Sequence, residues 1–188
     1  MDGLKAVLAS RNRHKARELE RLLPGWSIEP LDRDDYPSET GTTYYDNAAI
    51  KAAFGREHTS GWVLAEDSGL EVRALGGRPG VLSARYAPEG APAVAKLLGE
   101  LVGVENREAR YVSELVLLSP DGCDARGTGV LEGRIAYAPA GSEGFGYDPI
   151  FVPDGEERTV AELGNEWKAR KSHRARAAWA LLDALAAG

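Results

Sequence analysis

The chain has 188 residues, 43% of them hydrophobic and 28% charged, with a formal net charge of −6 and a pI near 5.2. That length and composition suit one globular domain, or one domain with two lobes, and allow a sizeable buried core. The acidic balance argues against general binding to a nucleic-acid backbone, though not against a local basic site for a small anion, and the single cysteine, Cys123, excludes an intrachain disulfide and a Cys-based zinc site.

Leu4 to Ala9 is short, apolar and reads as a buried strand. Met1 to Ala9 is too short and too polar for a signal peptide, and no stretch of the sequence has the apolar length of a membrane span. A cytoplasmic protein is the expectation. The segment Ser10 to His14 breaks the strand, and Lys15 to Leu23 follows with Leu19, Leu22 and Leu23 on one helical face before Pro24-Gly25. Trp26 to Leu31 is a second strand, and Asp32 to Gly41 an acidic loop. Thr43-Tyr44-Tyr45-Asp46 resembles a capping box, with Asp in place of Glu, opening a helix to about Glu57.

Trp62 to Ala65 reads as a short strand ending at an acidic turn, Glu66-Asp67-Ser68-Gly69, with Leu70 to Ala74 alternating as another strand. Gly76 to Gly80 is a tight loop, Ala91 to Val102 an amphipathic helix and Ala109 to Leu118 a central strand. Pro120-Asp121-Gly122 turns the chain, and Cys123 to Val130 returns as a hairpin partner. A glycine-rich aromatic segment, Gly141 to Asp148, precedes a short strand at Ile150 to Val152. Ser172 caps a last helix to Leu185, with Trp179, Leu182 and Leu185 facing inward. Strands and helices mixed without regular alternation predict an α/β fold with a mixed sheet.

Four features carry chemistry. The loop after the first strand points backbone N–H groups at one spot near a helix N-terminus, where Ser10, Asn12 and Lys15 add polar side chains. It lacks the glycines of a Walker A loop, and it reads either as a phosphate site or as a solvated helix start. Glu39, Glu66 and Asp67 form a carboxylate set. Oxygen donors without Cys or clustered His suit magnesium or manganese rather than zinc; the alternative is an acidic turn paired with arginines. In Gly144 to Pro149, Phe145 and Tyr147 beside Asp148 suit the face and edge of a planar base, or else tuck into the core. Lys168 and Ser172-His173-Arg174 stand before and at the start of a helix, placed for an anion or keto oxygen, or simply as surface charge.

Taken together, these segments resemble the inosine triphosphate pyrophosphatases. The matching stretches are Leu8 to Lys15, Glu39 to Thr43, Asp46-Asn47-Ala48, Lys51-Ala52, Glu66 to Leu70, Gly77 through Gly80, Ser83 to Tyr86, Gly144 to Pro149 and Ser172 to Arg174, in the family's order. The resemblance implies an elongated mixed sheet flanked by helices, in two lobes with a central substrate cleft, within a single nucleotide pyrophosphatase domain over residues 1–188. It implies a homodimer that hydrolyses ITP, dITP and XTP to the monophosphate and pyrophosphate.

By the same resemblance Glu39, Glu66 and Asp67 hold magnesium, with Asp67 the catalytic base. Ser10, Arg11, Asn12, Arg13, His14, Lys15 and Ser68 contact substrate, and Phe145, Gly146, Tyr147, Asp148, Lys168, His173 and Arg174 surround the base. The sequence departs from the family at Arg11, where Gly is common in bacteria, at Glu66, where many members have Asp, and at Tyr45-Asp46, in place of an apolar-Glu pair. A 6-keto purine offers an acceptor at O6 and a donor at N1, the reverse of adenine. Guanine shares both groups, so this pattern alone does not reject it. Two other readings fit the same motifs: a pyrophosphatase for other bases, and a nucleotide sensor without turnover.

Overall fold

The computed structural model describes residues 3–122 and 124–187. Met1 and Asp2, Gly188, and Cys123, at the head of the expected return strand, lie outside the described residues. The apolar strand β1 (Lys5–Leu8) lies parallel to β2 (Ser27–Pro30) on one side and to β3 (Trp62–Val72) on the other, with Ala6 opposite Ile28 and Trp62. Helices α1 (Arg13–Leu22) and α2 (Tyr44–His58) connect these strands. After α3 (Ala91–Glu100) come β4 (Glu108–Leu118), β5 (Asp124–Ile135) and β6 (Phe151–Pro153), then α4 (Val160–Lys171) and α5 (His173–Ala187). The sheet order is β2-β1-β3-β4-β5-β6, with β6 antiparallel to β5. This is the mixed sheet flanked by helices that the element pattern predicts. Among the described residues no helix is long and apolar enough to cross a membrane.

The chain folds as two compact units, each gathered from separate stretches of sequence. The first comprises the chain up to Asp67, Ser113–Gly129 and the chain from Arg174 onward; the second comprises Ser68–Val112 and Val130–His173. In the first, α2 lays Ala48 and Ala52 against Ala9, Val63, Ala65 and Val116. Gly55 is forced by this close approach, since a Cβ there would stand 2.6 Å from Val63 Cγ1. The helix starts where the capping box predicts, with Thr43 Oγ1 accepting from Asp46 N and the Asp46 carboxylate accepting from Thr43 N. In the second unit, Leu97 and Leu101 pack with Leu70, Val72, Tyr111, Leu131, Ile150 and Phe151.

Four expectations need correction. Glu66 to Gly69 is not a turn: β3 runs unbroken through it, because the two acids find buried partners within the sheet's flanking helices. Helix α1 begins two residues before Lys15, where the Asn12 carbonyl caps the N–H groups of His14 and Lys15. Helix α4 went unforeseen. It opens on a second capping box, Thr159 with Glu162, and bends at Gly164, whose φ of 85° and ψ of 176° are non-helical. Finally, Trp179 is exposed; α5 instead buries Arg174, Ala175, Ala178 and Leu181. Here a Cβ on Gly127 of β5 would lie 2.1 Å from the Ala177 carbonyl oxygen, so glycine lets the helix seat.

Candidate active site

Strand β3 supplies the two acids of the first unit. Successive strand residues face opposite sides of a sheet, so Asp67 shares the α2 side with Val63 and Ala65, and Glu66 faces the other way. Asp67 Oδ1 accepts from Lys51 Nζ at 2.8 Å and Oδ2 from Asn47 Nδ2 at 3.3 Å, both donors on α2. The same Lys51 ammonium reaches Glu39 Oε1 at 2.6 Å. Burial pushes the Asp67 carboxyl above its ordinary value, and the attraction of Lys51 and Lys15 only partly offsets it. Burial alone would lower Lys51; the facing charges of Asp67 and Glu39 win and hold it above the ordinary lysine value.

Glu66 is wholly buried and ion-paired at both carboxylate oxygens. Oε1 accepts from Ser113 Oγ at 2.9 Å and from Arg174 Nε and Nη2 at 3.2 and 3.0 Å. Oε2 lies 2.7 Å from Lys15 Nζ. Burial would raise this carboxyl, but Arg174 and Lys15 hold it well below the usual range. Arg174 also donates to Glu18 of α1, and two acids keep its guanidinium charged despite full burial. The structure thus places Arg174 in the first unit, on Glu66.

The rest of the basic loop is more open. Ser10 Oγ accepts from Asn12 N at 3.1 Å. The Asn12 carbonyl is spent on capping, which leaves its amide nitrogen as the end that can donate outward. Arg11, Arg13 and His14 are exposed, with Arg11 5.5 Å from the Tyr36 ring centroid. Ser68, the next residue of β3, is half-buried and belongs to the second unit.

The second unit gathers its own cluster around Asp148. Oδ2 accepts from Lys168 Nζ at 2.7 Å and from Phe145 N at 2.9 Å, and Oδ1 from the Tyr111 hydroxyl at 3.3 Å. Lys168, expected as possible surface charge, is 4% exposed and stands 4.7 Å from the Phe145 ring centroid. His173 stacks on Tyr111 with centroids 4.5 Å apart and planes 13° off parallel. Gly144 has a φ of 79°, and a Cβ there would fall 2.1 Å from Asp148 Oδ2, so no other residue fits without moving the acid. Gly146 also lies in the left-handed region, with φ of 63°. Of the two aromatics, Phe145 is half-buried but Tyr147 is a core residue; its hydroxyl donates to the Ser83 carbonyl at 3.3 Å, and burial pushes it up to about 12.

Sequence reasoning left Lys51, Asn47, Glu18, Ser113 and Tyr111 without roles. Asn47 and Lys51 carried a signal: polar residues four apart among alanines, hence on one buried helical face. Glu18, Ser113 and Tyr111 carried none, because their partners lie far away in sequence.

Among the described residues no three or more His, Cys, Asp or Glu side chains gather as a metal site. Two carboxylates, Glu39 and Asp67, do converge on one cation, the Lys51 ammonium. That donor set fits magnesium, which takes one or two carboxylates and completes its shell with substrate phosphates and water.

The sequence model of the Ham1 family matches residues 6–184. A dITP/XTP pyrophosphatase of Deinococcus deserti is 44% identical over 185 residues, covering 96% of this chain and 89% of its own length. One from Thermus thermophilus is 46% identical over 193 residues, covering 97% and 92%. The solved structure of the Staphylococcus aureus Ham1 protein superposes with a TM-score of 0.84 at 35% identity, covering 97% of this chain and 98% of that one.

Proposed function

The chain belongs to the Ham1 family, and from that premise and the geometry of its two clusters we propose that it hydrolyses noncanonical purine nucleoside triphosphates (ITP, dITP and XTP) to the monophosphate and pyrophosphate. The observation that carries the reading is the convergence of half-buried Glu39 and buried Asp67 on one cation, with Asp67 next in the strand to Glu66 and its Lys15. A pure binding protein has no need of a water-activating acid such as Asp67.

In this reading the first unit handles the triphosphate. Glu39 and Asp67 would hold magnesium, which would supply charge neutralisation for the pyrophosphate leaving group. Lys15 and the N–H groups at the start of α1 bind phosphate oxygens. Asp67 orients the water that attacks the α-phosphorus and takes its proton. The new P–O bond forms as the bond to the pyrophosphate oxygen breaks.

The second unit reads the base. Asp148 accepts from N1–H, for a carboxylate has lone pairs beyond those used by Lys168, Phe145 and Tyr111. Lys168 donates to O6, and Phe145 covers a face of the ring. Adenine presents the reverse pattern and leaves these groups mismatched, at a cost of about 1–3 kcal/mol each. The same reading includes magnesium dependence, a homodimer and a cytoplasmic location; the resemblance to the pyrophosphatases supports them, and light scattering tests the dimer.

The experiment is a pyrophosphate-release panel with ITP, dITP, XTP, ATP and GTP, with and without magnesium. The expected result is magnesium-dependent release with the three noncanonical nucleotides favoured in kcat/KM. Equal turnover of ATP overturns the base assignment.

A further inference from the structure

Asn47 is fully buried on α2, one helical turn before Lys51. Its amide is used at both ends. Nδ2 donates to Asp67 Oδ2 at 3.3 Å, and Oδ1 accepts from Gly41 N at 2.8 Å. Gly41 follows Glu39 by two residues, so the second bond pins the loop that carries Glu39. The loop presses close at this point: a Cβ on Gly41 would stand 2.4 Å from Asp46 Cβ, 2.7 Å from Asn47 Oδ1 and 2.9 Å from Asn47 N. The helix start behind it is fixed by the Thr43–Asp46 capping box.

We propose that Asn47 is a positioning residue that sets Glu39 and Asp67 together, one through each end of its amide. This rests on the reading of those two acids given above. With Oδ2 of Asp67 held by Asn47, Oδ1 is the oxygen turned to Lys51 and to the proposed metal position. With Gly41 N–H held by the same amide, Glu39 is brought to the same point. An apolar residue of similar volume would fill the core equally well and would do neither. Hydrogen-bonded partners of ligating carboxylates commonly contribute about 10–100-fold in metal affinity or activity.

The test uses the full chain with Asn47→Leu and, separately, Gly41→Ala, which crowds Asp46 and the Asn47 amide without removing either. Neither changes net charge. Mn²⁺ affinity of the nucleotide-free protein is read by electron paramagnetic resonance, alongside steady-state kinetics with dITP and thermal melts. The expected result in both variants is Mn²⁺ affinity weakened about tenfold or more and kcat lowered about tenfold or more, with KM for dITP within about twofold. A folded variant with Mn²⁺ affinity and kcat within about twofold of wild type, whatever its melting temperature, overturns the proposal, since it reveals a purely structural role. Wild-type protein that binds no Mn²⁺ also overturns it. If wild type binds Mn²⁺ but releases no pyrophosphate from any nucleotide, the functional reading fails instead, and the comparison of Mn²⁺ affinities alone decides the role of Asn47.

Discussion

The ammonium of Lys51 sits 2.8 Å from Asp67 Oδ1, with both side chains more than nine-tenths buried. It also reaches Glu39, so one cation balances two acids. Such an arrangement is costly to desolvate and is held together only while every member is present. In the proposed reading the same two acids are where a divalent ion would bind.

Lys51→Met therefore leaves the buried Asp67 carboxylate facing half-buried Glu39 with no cation between them. In the absence of magnesium the loss of stability is expected to be about 3–5 kcal/mol, with magnesium restoring part of it. Because Lys51 is held above its ordinary value, its contribution is present at neutral pH and disappears only as the pH rises through the alkaline range. Urea unfolding at neutral pH, with and without magnesium, measures both effects.

Glu66→Gln probes the opposite face of β3. Glu66 is held well below 4.5, so its contribution is present above that pH and is lost as the pH falls through the folded value. At neutral pH the variant is expected to be less stable by about 3–5 kcal/mol, because Arg174 and Lys15 lose their buried partner. The gap between wild type and variant narrows on acidification below 4.5. Parallel urea titrations across the acid range check it; a gap that widens toward low pH contradicts the assignment.

Asp148→Asn tests base reading. The amide keeps the shape but replaces one acceptor oxygen with a donor. The ratio of kcat/KM for dITP over dATP is expected to fall about tenfold or more. A competitive assay with both nucleotides reads the ratio directly.

The sequence made some of this legible and hid the rest for physical reasons. The capping box at Thr43 and the apolar runs of β1 and β4 are local signals, and the structure places those elements where they point. Glu66-Asp67 looks like a turn because two adjacent acids are poor strand residues without partners; the partners come from Lys15, Lys51 and Arg174, up to 108 residues away. Helix α4 escaped notice because Gly164 interrupts it, although Thr159 and Glu162 spell its cap. Tyr147 followed the bland alternative, a core aromatic, while Lys168 did not. No rule of composition predicts a lysine buried against an aspartate 20 residues away in sequence.

Asp67, held by Lys51 and Asn47, takes the proton of the attacking water in the proposed mechanism. Turnover of dITP by Asp67→Asn in saturating magnesium tests it most directly, with product formation followed as pyrophosphate and the fold confirmed by circular dichroism. The account predicts that kcat falls about 100-fold or more. A folded variant with kcat near that of wild type contradicts it.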